Sequence, residues 1–222
     1  MSEQTSQQVP ITATNKVRTA NRANYDRQTI HAILDDGLIA HVAFSLDDQP
    51  FVLPMAYGRI GDQLYIHGAK GARMFKALKK GLPICINVTI VDGFVVARSA
   101  FHHSMNYRSA NIHGIGRLVE DRDEKYDALV AVTDHIAPGR WDETRETTDK
   151  ELNATTVIAV EIETAAAKYR AGMPVDDEED YATDFWAGIV PIATSFGPAI
   201  DDSRLKDGIP VADSIQKLVG RR

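Results

Sequence analysis

LIAHVAFSLDDQPFVLPMAYGRIGDQLYIH, residues 38–67, is the stretch on which the fold turns. Leu38–Leu46 is apolar and rich in β-compatible residues, Asp47-Asp48-Gln49 reads as a turn, and Pro50–Tyr57 reads as a second strand. Gly58-Arg59-Ile60-Gly61-Asp62 is another turn, and Gln63–His67 a third strand. Turn residues interrupt runs too short for helices, so the stretch predicts a meander of short antiparallel strands.

Outward from it the period changes twice. On the N-terminal side, Ile30, Ile33 and Leu34 share one face of a short helix that Asp26 caps and Gly37 stops. On the C-terminal side, Gly71–Lys80 sets Met74, Phe75 and Leu78 on one side and Arg73, Lys76, Lys79 and Lys80 elsewhere, a second amphipathic helix with cations toward its end. Strand pattern resumes at Ile84–Val91, and Asp92-Gly93 reads as a turn into Phe94–Ala97. Arg108–Val119 alternates in part, with Gly114 and Gly116 marking a bulge or bend. A helix is expected over Asp121–His135, and a strand over Ala154–Glu163 with Thr164–Arg170 paired beside it. Trp186–Ile192 is a last short strand, and a tail with a short helix follows. Strands and helices do not alternate regularly, and no G-x-G-x-x-G follows a strand, so a Rossmann fold is disfavoured. The pattern predicts a mainly β fold with peripheral α-helices, a small antiparallel, Greek-key-like barrel. Residues 1–24 are expected as a flexible arm, 25–195 as the domain, and 196–222 as a tail or short helix.

The 222 residues carry a net charge of −6, which lacks the basic footprint of a nucleic-acid binder. The polar start Met1–Val9 has no apolar secretory core, and no run approaches the roughly 18 apolar residues of a membrane span. A soluble, cytoplasmic protein is expected. The single cysteine, Cys85, lies in the apolar run Leu82–Val88 and reads as a small core residue.

Three segments carry polar chemistry. In His67-Gly68-Ala69-Lys70-Gly71-Ala72-Arg73 a strand hands over to a helix. Small residues there let backbone N–H groups approach a ligand, and Lys70 and Arg73 add charge, as a phosphate seat requires. The same sequence also describes a glycine-rich turn with solvated cations, and both readings stand. In Arg98–Ser109, Asn106 and Ser109 are suited to hydrogen-bond the edge of a heterocycle, and Tyr107 to wall a pocket. His102 and His103 are adjacent and would face opposite sides of a strand, so no metal site is expected, while haem ligation by one histidine stays open. The acidic run Asp176–Asp180 reads as a solvated loop and Trp186 as core, or as a pocket wall. No catalytic acid, base or nucleophile motif is present.

Five segments together, PFVLPMAY (50–57), LYIHGAKGAR (64–73), ARSAFHHSMNYRS (97–109), PGRW (138–141) and DDEEDYATDFWAGIVP (176–191), resemble flavin-nucleotide-binding proteins related to pyridoxamine 5′-phosphate oxidase, in particular the nitroimidazole-resistance subgroup. The resemblance spans about residues 25–195. It implies an FMN-binding split β-barrel and a homodimer with two FMN sites at the subunit interface. It implies that the flavin ring lies against Leu53, Pro54, Met55 and Ala56, and that His67, Gly68, Ala69, Lys70 and Arg73 hold the phosphate. Asn106, Tyr107 and Ser109 would add contacts, and Trp186 would stand near the site. Haem or a deazaflavin are the alternative cofactors. The chain end offers Arg204, Lys206, Lys217, Arg221 and Arg222 without the Trp-and-Arg arrangement that grips substrate phosphate in the oxidases. Pyridoxamine 5′-phosphate oxidation is therefore not expected. What the resemblance implies instead is an FMN-dependent oxidoreductase of a small aromatic or quinone-like molecule with a reduced nicotinamide donor. A flavin or haem carrier without turnover is the second reading, and a structural dimer module with a vestigial pocket the third.

Overall fold

The computed structural model describes residues 8–220, and in it most of the period-2 stretches become strands. In chain order the elements are β1 (Ala23–Asn24), α1 (Arg27–Asp36), β2 (Ala40–Leu46), β3 (Gln49–Met55), β4 (Tyr57–Ile60), β5 (Gln63–Ala69), α2 (Arg73–Leu78) and β6 (Pro83–Val96). Then follow β7 (Ser104–Ile115), β8 (Arg117–Leu118), α3 (Arg122–Ile136), α4 (Asp149–Ala154), β9 (Thr155–Glu161), β10 (Thr164–Arg170), β11 (Gly188–Pro191) and α5 (Asp213–Leu218). One sheet runs in the order β1-β10-β7-β6-β2-β3, with β11 also paired to β6, and a second runs β4-β5-β9-β8. The expectation of a mainly β fold with helices at its connections is met.

Local chemistry sets the boundaries. The Asp26 carboxylate accepts from the Thr29 N–H at 2.9 Å at the start of α1, and Asp121 accepts from Glu124 N–H at 2.8 Å at the start of α3. Asp47 and Asp48, at the β2–β3 turn, both take positive φ, 51° and 59°. That is the left-handed pair a two-residue hairpin needs, and short acidic side chains tolerate it.

The chain forms two compact units. One is built from the chain up to Pro54, Ile84–Gly114 and Ile162–Ala193, and holds the first sheet. Its buried residues include Ile30, Ile33 and Leu34 of α1, Ile84, Ile86 and Val88 of β6, and Ala165–Ala167 of β10. The other comprises Met55–Pro83, Ile115–Glu161 and Thr194–Arg222 and holds the second sheet. Its core joins Tyr65, Val157 and Ala159 of that sheet to Ala128, Leu129 and Val132 of α3. No helix of the described residues is long and apolar enough to cross a membrane.

Several expectations are corrected. Asp92-Gly93 is not a turn, since β6 runs through it, Gly93 opposite Pro191 and the Asp92 carboxylate bonded to Arg108 at 3.0 and 3.2 Å. The buried set of β6 shifts from even positions (Ile84, Ile86, Val88) to odd ones (Gly93, Val95), and this break in alternation resembles a turn in sequence. Thr164–Arg170 does not pair with its neighbour: β9 pairs with β5 and β8, whereas β10 pairs with β7 and β1. Gly116 is the break at which β7 of the first sheet hands over to β8 of the second. Residues 8–24, where a loose arm is expected, are tied down: Val9 is buried, its N–H donates to Tyr25 O, and buried Asn15 donates to Ala165 O at 3.0 Å. The first seven residues of that expected arm, and the last two of the tail, lie outside the described residues.

Candidate cofactor-binding sites

In the second unit, the residues expected to form a phosphate seat begin on β5 with His67, Gly68 and Ala69 and continue through the turn to Arg73 on α2. His67 is half-buried opposite Val157, and its Nδ1 is buried with no hydrogen-bond partner among the described residues. Burial pushes its pKa below the ordinary histidine value, so the ring is neutral near pH 7. Gly68 is packed against the buried ring of Phe75, with no room for a side chain. The turn is closed by Lys70 N–H donating to Ala154 O at 3.0 Å and Ala72 N–H to Ala69 O at 2.9 Å. Lys70, Arg73 and Lys76 are exposed. α2 is only six residues long and its N-cap, Ala72, offers no side chain to the first turn. Less than two turns of helix supplies little dipole, so the positive character of this turn comes from its cations. Met55 ends β3 half-buried, and Ala56 packs against the core of this unit.

In the first unit, Leu53 and Pro54 lie exposed on β3, the edge strand of the sheet. Asn106, Tyr107 and Ser109 lie on β7. Asn106 is buried, accepts from Arg170 Nη1 at 2.6 Å and donates to Gly172 O at 3.2 Å. Ser109 is buried and its Oγ donates to Lys168 O at 3.2 Å. Their polar atoms brace β10 and the loop after it. Tyr107 is half-buried, with Lys168 Nζ 5.9 Å from its ring centroid. Trp186 is not core: it is 65% exposed, just ahead of β11, and its ring covers Gly188.

The acidic run is solvated only in part. Asp176 is buried, and its Oδ1 accepts the N–H groups of Arg98 at 2.9 Å and Ser99 at 3.2 Å, while Oδ2 meets Arg98 Nη1 at 3.2 Å. Burial alone would raise its pKa, but the bonds from Ser99 and Arg98 outweigh that and hold the carboxyl below its ordinary value. Cys85 is half-buried rather than core, on the opposite face of β6 from Ile84 and Ile86, and burial pushes its thiol pKa up.

Sequence reading missed a cleft of about 600 Å³ in the first unit, lined by Arg22, Phe101, His103, Tyr169, Arg170 and Met173 among others. Its residues come from three separated segments, and only register brings them together. One signal was available, the density of aromatic and basic groups at 98–109. The same corner brings Asp177 and Asp180 to His102, their ligand atoms within 4.8 Å of one another, carboxylates that no sequence spacing announced.

The family described as Pyridoxamine 5′-phosphate oxidase matches residues 26–169. Among solved structures, the flavocytochrome Anf3 from Azotobacter vinelandii is 38% identical, with a TM-score of 0.89 over 96% of this chain and 100% of that one. The FAD and haem binding protein from Mycobacterium smegmatis is 37% identical, with a TM-score of 0.86 over 90% of this chain and 98% of that one. A protein described as a 5-nitroimidazole antibiotic resistance protein, from Bacteroides thetaiotaomicron, shares the fold at 24% identity and a TM-score of 0.53, over 66% of this chain and 85% of that one. No curated protein matches the sequence. The family match covers more than half of the 222 residues and contains four of the five segments that carried the resemblance, 176–191 lying beyond it, and the chain belongs to the pyridoxamine 5′-phosphate oxidase family.

Proposed function

We propose that this protein binds a flavin nucleotide and a haem, and is a flavocytochrome-type oxidoreductase fed by a reduced nicotinamide. The observation that carries the reading is likeness along nearly the whole chain, at 37–38% identity, to one flavocytochrome and one FAD and haem binding protein. The chain's own residues fit a flavin phosphate. His67 has a buried ring nitrogen without a partner among the described residues, three residues before the cation Lys70 and six before Arg73. A buried polar atom left unpaired costs about 1–3 kcal/mol, so a ligand that supplies its partner is favoured there.

Bound flavin would supply the conversion of a two-electron hydride donor into one-electron transfers that a haem can take. The chain would do the rest: Lys70 and Arg73 would neutralise phosphate, and Lys76, exposed three residues after Arg73 on the same helix, adds a third cation. By the family resemblance, the backbone of Leu53, Pro54, Met55 and Ala56 would orient the ring, and Tyr107 and Trp186 would wall it. Asn106 and Ser109, whose side chains bond within the chain, position the wall rather than touch the ring. A homodimer with the site at its interface accounts for the exposure of Val52, Leu53, Phe185 and Trp186, apolar groups that a monomer seldom leaves in water. The acceptor is a small quinone-like or aromatic molecule that takes two electrons and two protons.

Release of the bound flavin and its chromatographic identification, followed by a turnover assay with reduced nicotinamide and a quinone, tests the reading. FAD or FMN in stoichiometric amount with turnover is expected. Retained cofactor without turnover would make the protein a carrier, and absence of any flavin after reconstitution would overturn the proposal.

A further inference from the structure

We propose that the cleft beside the Ala100–Ser104 corner is the haem seat, with His103 Nε2 the axial ligand to iron. The inference rests on the haem-binding part of the function proposed above and assigns its place. His103 Nδ1 lies 3.0 Å from Ser99 O. A carbonyl oxygen can only accept, so Nδ1 carries the ring proton and Nε2 keeps its lone pair. That is the tautomer in which a histidine binds a metal, the second nitrogen held by a backbone carbonyl. The Phe94 ring meets the imidazole edge-on, centroids 5.7 Å apart at 61°, and fixes its plane.

The carbonyl that orients His103 belongs to a pinned residue. Ser99 N–H and Arg98 N–H both donate to Asp176, whose side chain is fully buried. The adjacent histidine is committed otherwise. His102 Nε2 faces Asp177 Oδ2 at 3.3 Å, and a carboxylate there requires the proton on Nε2. Of the two neighbours, His103 alone presents an Nε2 lone pair.

The cleft around it joins a polar, basic side to an apolar edge, as an amphipathic dianionic molecule requires. Its volume of about 600 Å³ falls in the range of cofactor pockets. Phe101, Met173 and Val175 line it and are 89%, 64% and 69% exposed, a hydrophobic edge that none of the described residues covers. Two guanidiniums, those of Arg22 and Arg170, stand at the same cleft and match two propionates in number and charge. Arg170 is held by Asn106 Oδ1 at 2.6 Å and by the carbonyls of Gly172 and Met173, each at 3.3 Å. Those bonds use three of its five donors among the described residues and aim the fork before a ligand arrives.

The test is reconstitution of the full-length protein with haemin, followed by absorption in the Soret region. Wild type is expected to form a stoichiometric complex with a histidine-ligated spectrum. His103→Gly should lose affinity at least tenfold and take a spectrum close to that of unligated haemin, and added imidazole should restore the wild-type bands. His102→Ala should keep them. Arg22→Glu should weaken binding without moving the bands, which reports the cleft independently of the ligand. Flavin retention and circular dichroism serve as the folding control in each variant. A wild-type spectrum and affinity in His103→Gly would place the haem elsewhere while leaving the functional reading intact. Unweakened binding in Arg22→Glu would remove the propionate assignment. Failure of wild type to take up haemin would overturn both the site and the haem part of the function.

Discussion

Gly68→Ala tests how the cationic turn is held against the core. A Cβ at this position would lie 2.2 Å from Phe75 Cε2 and 2.9 Å from Cδ2 and Cζ. Ordinary contact begins at 3.4 Å, so the ring or the strand must yield by 3.4 − 2.2, about 1.2 Å. Phe75 has no outlet, because it is buried with Met74, Ala77 and Leu78 on the same helix. Overpacking of this kind costs about 1–3 kcal/mol. In a chain of this size each kcal/mol lowers Tm by roughly 2–4 °C, so a fall of about 2–12 °C is expected. The assay is thermal unfolding of the cofactor-free protein by far-UV circular dichroism, with flavin affinity measured in parallel. Phe75 anchors the helix that bears Arg73, so affinity should fall along with stability. Phe75→Leu removes ring atoms at the clash, and the double variant should be more stable than the two single effects predict, with a coupling of about 0.5–3 kcal/mol. An unchanged Tm in Gly68→Ala, or strict additivity in the pair, would refute the packing account of the turn.

Further expectations concern charge and protons. Lys70→Ala and Arg73→Ala should each weaken flavin binding by roughly 1.5–3 kcal/mol, the range of a charge-assisted contact, and equal affinity in a titration of the double variant would remove the phosphate assignment. The lowered pKa of His67 gives the cofactor-free protein a pH dependence: the unfolded chain takes a proton near pH 6.5 that the folded one refuses, so stability is full above that value and falls as pH drops below it. His67→Gln should flatten this slope in urea melts, and an unaltered slope would contradict the burial argument. Cys85, with its thiol pKa raised by burial, should react slowly with thiol reagents at pH 8 and rapidly once urea unfolds the chain. A stoichiometric burst in the folded protein would show an activated thiol instead.

Asp26 illustrates what was legible in the sequence: it caps its helix within three residues, an interaction complete inside a local window. The hairpin at Asp47-Asp48 was legible for the same reason. Thr164–Arg170 shows the limit, because its partners on β7 lie 51 to 63 residues away and adjacency in sequence points to the wrong strand. Asp176 is a long-range case as well, an acidic residue withdrawn from a solvated run by two N–H groups 77 and 78 positions earlier. Trp186 failed differently. Core and pocket wall are both readings its apolar neighbours allow, yet Phe185, Trp186 and Val190 are exposed in a single chain, where a second subunit or a cofactor is what would bury them. The residues proposed as a phosphate seat read as a group because they are consecutive. The cleft at His103 was not, because three distant segments line it.

The most direct measurement is the absorption spectrum of the protein purified without added cofactor, then after incubation with flavin and with haemin and gel filtration. The account predicts the two flavin bands and a Soret band, all co-eluting with the protein at near-equal stoichiometry. A protein that elutes colourless after both incubations would contradict it.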